Sequence, residues 1–70
     1  MSNPRIGELV DYVSPYCTGI FEAVIRNIRH DGTVDIEVYL SGGRNYRDPD
    51  LHTMKLRALE YGPGERVRPR

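Results

Sequence analysis

Ile20-Phe21-Glu22-Ala23-Val24-Ile25-Arg26-Asn27-Ile28-Arg29-His30-Asp31-Gly32-Thr33-Val34-Asp35-Ile36-Glu37-Val38-Tyr39-Leu40 is the stretch on which the fold turns. Two runs rich in β-branched residues flank His30-Asp31-Gly32, a turn in which Gly supplies a positive φ, and the pattern predicts a β-hairpin. In the second run Val34, Ile36, Val38 and Leu40 alternate with Thr33, Asp35, Glu37 and Tyr39, the period of a strand with one buried face and one wet face. No helix places those four apolar residues on one side. In the first run Phe21, Ala23 and Ile25 share a parity that Ile28 breaks, which a bulge between Ile25 and Ile28 accommodates.

Upstream, Leu9-Val10-Asp11-Tyr12-Val13 reads as another strand between Gly7 and Ser14-Pro15, and residues 15–19 as a loop carrying Tyr16 and Cys17. Downstream, residues 41–50 form a polar, Gly-rich connection that reaches out from the sheet. Leu51 to Tyr61 reads two ways. Leu51, Met54, Ala58 and Leu59 fit a helical stripe behind an Asp48-Pro49 start, while Met54, Leu56 and Ala58 alternate as the inward face of a strand. The strand is favoured, because three strands leave an edge that a small barrel must pair. Gly62-Pro63-Gly64 reads as the end of the pattern. The expectation is an all-β, small antiparallel barrel of about five strands over residues 1–62, with a long loop before the last strands and a mobile Arg-rich tail over 63–70.

Seventy residues make one domain, since a chain this short buries only about 60% of the surface its unfolded form exposes. A stability of about 3–10 kcal/mol follows from the usual range per residue, so an oligomer or larger assembly is a natural source of support. Ten basic residues balance ten acidic ones, and no global field draws the chain to nucleic acid or anionic lipid. Nine of the ten basic residues are Arg, the side chain suited to bidentate and stacked contacts at interfaces. A single cysteine, Cys17, excludes an intrachain disulfide. The opening Met-Ser-Asn-Pro-Arg has no signal-peptide character, and no apolar run approaches the roughly 20 residues of a membrane span. The chain is expected in the cytoplasm or in a virion, with no membrane partner.

The order of features resembles the SH3-like barrels of the Tudor and KOW kind. Gly7-Glu8-Leu9-Val10-Asp11-Tyr12 looks like the opening strand, Glu22-Ala23-Val24-Ile25 followed by Ile28 like the second, and Asp31-Gly32-Thr33-Val34-Asp35-Ile36-Glu37-Val38 like its hairpin partner. A second resemblance is to small structural proteins of tailed bacteriophages, carried by Gly7 to Val13, Cys17 and Val34-Asp35-Ile36. The first resemblance implies a nucleic-acid or methylated-peptide binder; the second implies a virion component.

Catalysis needs a nucleophile, a base within reach and a group to hold that base. Cys17 with His30 or His52 is the sole thiol–imidazole combination, and a hairpin turn and a loop are poor places to bring them together. Asp48, Asp50 and His52 alternate as metal ligands on a strand would, but Pro49 makes a solvated turn the simpler reading. Gly42-Gly43 belongs to neither phosphate-loop pattern. A Tudor-type cage would draw its rings from Tyr12, Tyr16, Phe21, Tyr39 and Tyr46, some of which a core this small needs for packing. Arg26, Arg29, Arg44, Arg47 and the tail arginines, interleaved with Tyr, have the composition of a single-strand stacking surface, opposed by neighbouring Asp and Glu.

The expectation is therefore a non-catalytic structural or adaptor module without a cofactor or metal. It makes protein–protein contacts in a larger assembly, in its most specific version as a capsid or tail component of a bacteriophage virion. A nucleic-acid-binding SH3-like domain is the alternative. The candidate partner-binding residues are Arg44, Tyr46 and Arg47 in the long loop and Arg66, Arg68 and Arg70 in the tail, because Arg and Tyr are enriched at interface hot spots.

Overall fold

The computed structural model describes residues 3–16, 18–40 and 53–70. Five strands follow in chain order: β1 (Leu9–Val13), β2 (Ile20–Ile28), β3 (Val34–Tyr39), β4 (Thr53–Leu59) and β5 (Val67–Pro69). They form one antiparallel sheet in the order β4-β3-β2-β1-β5, so the first strand sits inside the sheet and the last lies at its edge. The chain is all-β among the described residues, and the helical reading of residues 51–61 is set aside by β4.

The hairpin sits where its residues require. At the turn, Gly32 has φ +90°, its amide donates to the Arg29 carbonyl at 3.0 Å, and the Arg29 amide donates to the Thr33 carbonyl at 2.8 Å. Asp31 closes the same turn by accepting from the Thr33 amide and hydroxyl, at 3.0 and 2.6 Å. The alternation along β3 is realised as buried Val34, Ile36 and Val38 against outward Asp35, Glu37 and Tyr39. The parity break in β2 is a bulge. Ile25 pairs with Ile36 and Asn27 with Asp35, leaving Arg26 as the extra residue, so Ile28 returns to the core side opposite Val34.

One core lies on the inner face, built from Val10, Tyr12, Ala23, Ile25, Val34, Ile36, Val38 and Val67, with Phe21, Ile28, Leu56, Leu59 and Tyr61 packed against it. Val24 is also buried, but on the outer face, between Leu9 and Glu37 in register.

Three expectations are corrected. The sheet does not close into a barrel: among the described residues β4 and β5 share no ladder, and the two ends meet through one parallel bridge, Tyr61 to Val67. Ala58 does not face inward. β4 carries its own bulge, in which Leu59 pairs with Val34 and Leu56 with Ile36, leaving Arg57 and Ala58 opposite Asp35 alone. The extra residue puts Leu59 on the core side in place of Ala58, and Ala58 takes φ +56°.

Third, residues 63–70 do not hang off the domain. Gly62 to Gly64 begin a turn, with the Glu65 amide donating to the Gly62 carbonyl at 3.1 Å. The turn returns the chain to the free side of β1. There Val67 pairs with Tyr12, Arg68 with Asp11 and Pro69 with Val10, and Val67 is fully buried. The single apolar residue in this tail has no period to read, yet β1 needs a partner and the core needs a side chain at that point.

Candidate functional site

Asp35 lies where the two bulges meet. The extra residue of β2 and the extra residue of β4 both fall beside it, so three strands spread around one outward carboxylate. That carboxylate accepts from Arg29 Nε at 2.8 Å and Nη2 at 3.3 Å, from Asn27 Nδ2 at 3.3 Å, and from the Ala58 amide at 2.9 Å. These donors stabilise the ionised form, Arg29 most of all and the Ala58 amide next, and bring the Asp35 carboxyl down to about 2. The Ala58 backbone conformation is one that costs a non-glycine residue about 1–2 kcal/mol, and the bond from its amide to Asp35 helps to hold it there.

Beside Asp35 the spread strands leave a groove of about 330 Å³ on the outer face. Arg26, Asn27, Asp35, Glu37, Lys55 and Arg57 line it, together with Ile36 and Leu56 of the same strands. Glu37 is held below the usual carboxylate range, first by the Thr53 hydroxyl and then by Arg26, whose Nε and Nη2 donate to it at 3.0 and 2.9 Å. Lys55 is the register partner of Glu37. Arg57 has no ion pair among the described residues.

A second candidate surface lies at the end of the sheet where β1 turns into β2. Tyr16 is 93% exposed and Ile20, paired with Val13, is 63% exposed. Next to Val13, a shallower cleft of about 280 Å³ is lined by Gly64, Glu65, Arg66 and Arg68. An apolar pair beside arginines is a composition that protein interfaces favour.

The six candidate residues from the sequence divide. Arg44, Tyr46 and Arg47 lie outside the described residues, as do Cys17, Asp48, Asp50 and His52. Arg66 and Arg68 reach the β1–β2 end, with the Arg66 carbonyl accepting from the Val13 amide at 2.8 Å and Arg68 Nε donating to the Glu65 carbonyl at 2.8 Å. Arg70 is turned inward on its own sheet, its Nε donating to Asp11 Oδ1 and its Nη1 to Glu22 Oε2, both at 2.8 Å. Its role here is to pin the chain end.

The aromatic rings of the described residues are dispersed, and Tyr46 lies outside those residues. Tyr12 is buried and Phe21 packs against the core, Tyr39 stands on the other face opposite Glu22, and Tyr16 projects from the β1–β2 loop. No set of three His, Cys, Asp or Glu side chains among the described residues is grouped to hold a metal ion. Sequence reasoning missed the Asp35 groove, which depends on two bulges on different strands. The one available signal was the β2 parity break at Ile28. No known protein family, curated protein or solved structure matches this chain.

Proposed function

We propose that the chain is a non-catalytic structural or adaptor module that docks onto protein subunits of a larger assembly, in its most specific form a small component of a bacteriophage virion. The observation that carries the reading is the end of the sheet where Tyr16 and Ile20 stand exposed next to the cleft of Val13, Arg66 and Arg68. A lone exposed apolar residue is ordinary, but a large aromatic and a β-branched residue at one end of the sheet, with arginines alongside, is the anatomy of a contact surface. The small SH3-like pattern of the sequence agrees with this use, since such modules present loops and strand edges from a minimal core.

The nucleic-acid alternative draws less support. Arg26 is spent on Glu37, Arg29 on Asp35, and Arg70 on Asp11 and Glu22, so three of the arginines it would need are already neutralised within the sheet.

The test is a Tyr16→Ala, Ile20→Ser double variant produced in the native setting. It is expected to keep the melting temperature of the free chain and to drop out of the assembly with which the unaltered chain co-purifies, since hot-spot truncations cost about 2 kcal/mol or more each. Normal incorporation by the folded variant overturns the assignment of this surface. Release of the unaltered chain from its assembly by nuclease, or by a modest rise in salt, favours nucleic acid instead.

A further inference from the structure

We propose that the outer edge of β4 is a docking edge for an extended segment of a partner protein in which acidic and apolar residues alternate, so that the segment adds to the sheet beside β4. This surface is separate from the Tyr16–Ile20 end, and it names the chemistry of a partner where the adaptor reading names only its class.

The two edges of the sheet are unlike. The β5 edge is three residues long and contains Pro69, which has no amide to donate, so it presents little for another strand to pair with. β4 is seven residues long, contains no Pro, and is the outermost strand on the other side among the described residues. Thr53, Met54, Lys55, Arg57 and Ala58 are all exposed, Met54 by 41%. A strand in this position offers backbone amides and carbonyls to a partner strand, and the side chains select which partner fits.

The selection is legible in what β4 already pairs with. Lys55 lies opposite Glu37, while Leu56 lies opposite Ile36 and Met54 opposite Val38. On its paired side, then, β4 is matched to Val34-Asp35-Ile36-Glu37-Val38, an acidic–apolar alternation. The same β4 side chains stand between both flanks, so a strand on the open side meets Lys55 and Arg57 on the groove face and Met54 and Leu56 on the core face. Its complement is again acidic and apolar in turn.

A second copy does not fit. In an antiparallel pair of β4 edges centred on Leu56, Lys55 of each copy falls opposite Arg57 of the other, and like charges across a strand pair repel. Among the described residues, β3 carries the complementary pattern, and it is paired on both sides by β2 and β4. The occupant to which the proposal commits is a segment of a different protein.

The experiment titrates the full chain, labelled for amide NMR, with three probes: a capped seven-residue peptide of alternating valine and glutamate, the same peptide with lysine for glutamate, and a short oligothymidylate. The glutamate peptide is expected to shift and protect amides of residues 53–59, to bind roughly fivefold or more tightly than the lysine peptide, and to weaken with salt. Lys55→Glu with Arg57→Glu is expected to reverse the preference between the peptides. Both positions are exposed, and a thermal melt checks the variant; Lys55→Gln with Arg57→Gln, which abolishes the preference without reversing it, serves if the charge reversal disturbs the sheet. No response of β4 to millimolar peptide, equal response to both peptides, or slow exchange along the whole of β4 before any peptide is added overturns the proposal. In the first case Lys55 and Arg57 act only to keep the edge from aggregating. A response to the oligonucleotide alone also overturns it. Because the Tyr16→Ala, Ile20→Ser variant retains β4, loss of assembly there and loss of peptide binding here fail independently.

Discussion

The two outer strands of this sheet solve the edge problem in opposite ways. β5 is short and tied down on every side: Val67 is buried, its amide donates to the Glu60 carbonyl at 3.2 Å, Gly62 donates back to the Val67 carbonyl at 2.9 Å, and Arg70 clamps Asp11 and Glu22. β4 is more than twice as long and sends most of its side chains into solvent, with a bulge and a left-handed alanine at one end. The core of a chain this size is small, and of the two edge strands only β5 places a fully buried side chain in it. One edge is used to complete the core, and the other is left open with charges on it. The comparison teaches that Val67 and Arg70 serve the fold itself, whereas β4 keeps most of its side chains in solvent.

The most severe way to break this contrast is to remove residues 66–70. Deletion takes Val67 out of the core and leaves β1 with one unpaired side, so the cooperative thermal transition is expected to disappear. A truncated chain that melts at the original temperature would return these residues to the status of a mobile tail. Next in size is the pair Val67→Ala and Met54→Ala. The first removes two buried methyl groups and is expected to cost about 2 kcal/mol in a denaturant titration, while the second, on a half-exposed side chain, is expected to cost well under half of that.

Acid sharpens the contrast from the β4 side. The Asp35 carboxyl titrates near 2 when folded against 3.8 as the unperturbed value, so the ionised form is favoured by folding. Its contribution is fully present above about pH 4 and is lost as pH falls from there towards 2. Asp31 and Glu37 are lowered too and act in the same direction. Melts across this range are expected to show a steeper acid loss in the unaltered chain than in Asp35→Asn, with the β4 amides the first to exchange. Equal slopes would remove Asp35 as the tie between β2 and β4.

Smaller effects are expected from Ala58→Gly and Arg70→Gln. Glycine at φ +56° avoids a cost of about 1–2 kcal/mol but has more freedom when unfolded, worth up to about 1 kcal/mol, so a net gain of about 0.5 kcal/mol is expected. Arg70 is a half-exposed ion-pair donor, and its loss is expected to cost a few tenths of a kcal/mol to about 1 kcal/mol at low salt and less at high salt.

The sequence by itself determined the elements that rest on local pattern. The period-two alternation of Val34, Ile36 and Val38, the Gly32 turn, the β1 stretch and the bulge after Ile25 are all consequences of which side each Cβ takes and which residue tolerates positive φ. Tertiary structure alone decided the rest. β5 exists because β1 leaves an unpaired edge to which Val67 can be delivered, and Ala58 turns outward because a second bulge restores Leu59 to the core. The groove around Asp35 needs both bulges to face one residue across three strands. None of these leaves a period in the chain, since each depends on residues far apart in sequence meeting in space: Asp35 and Ala58 are 23 positions apart, and Asp11 and Arg70 are 59.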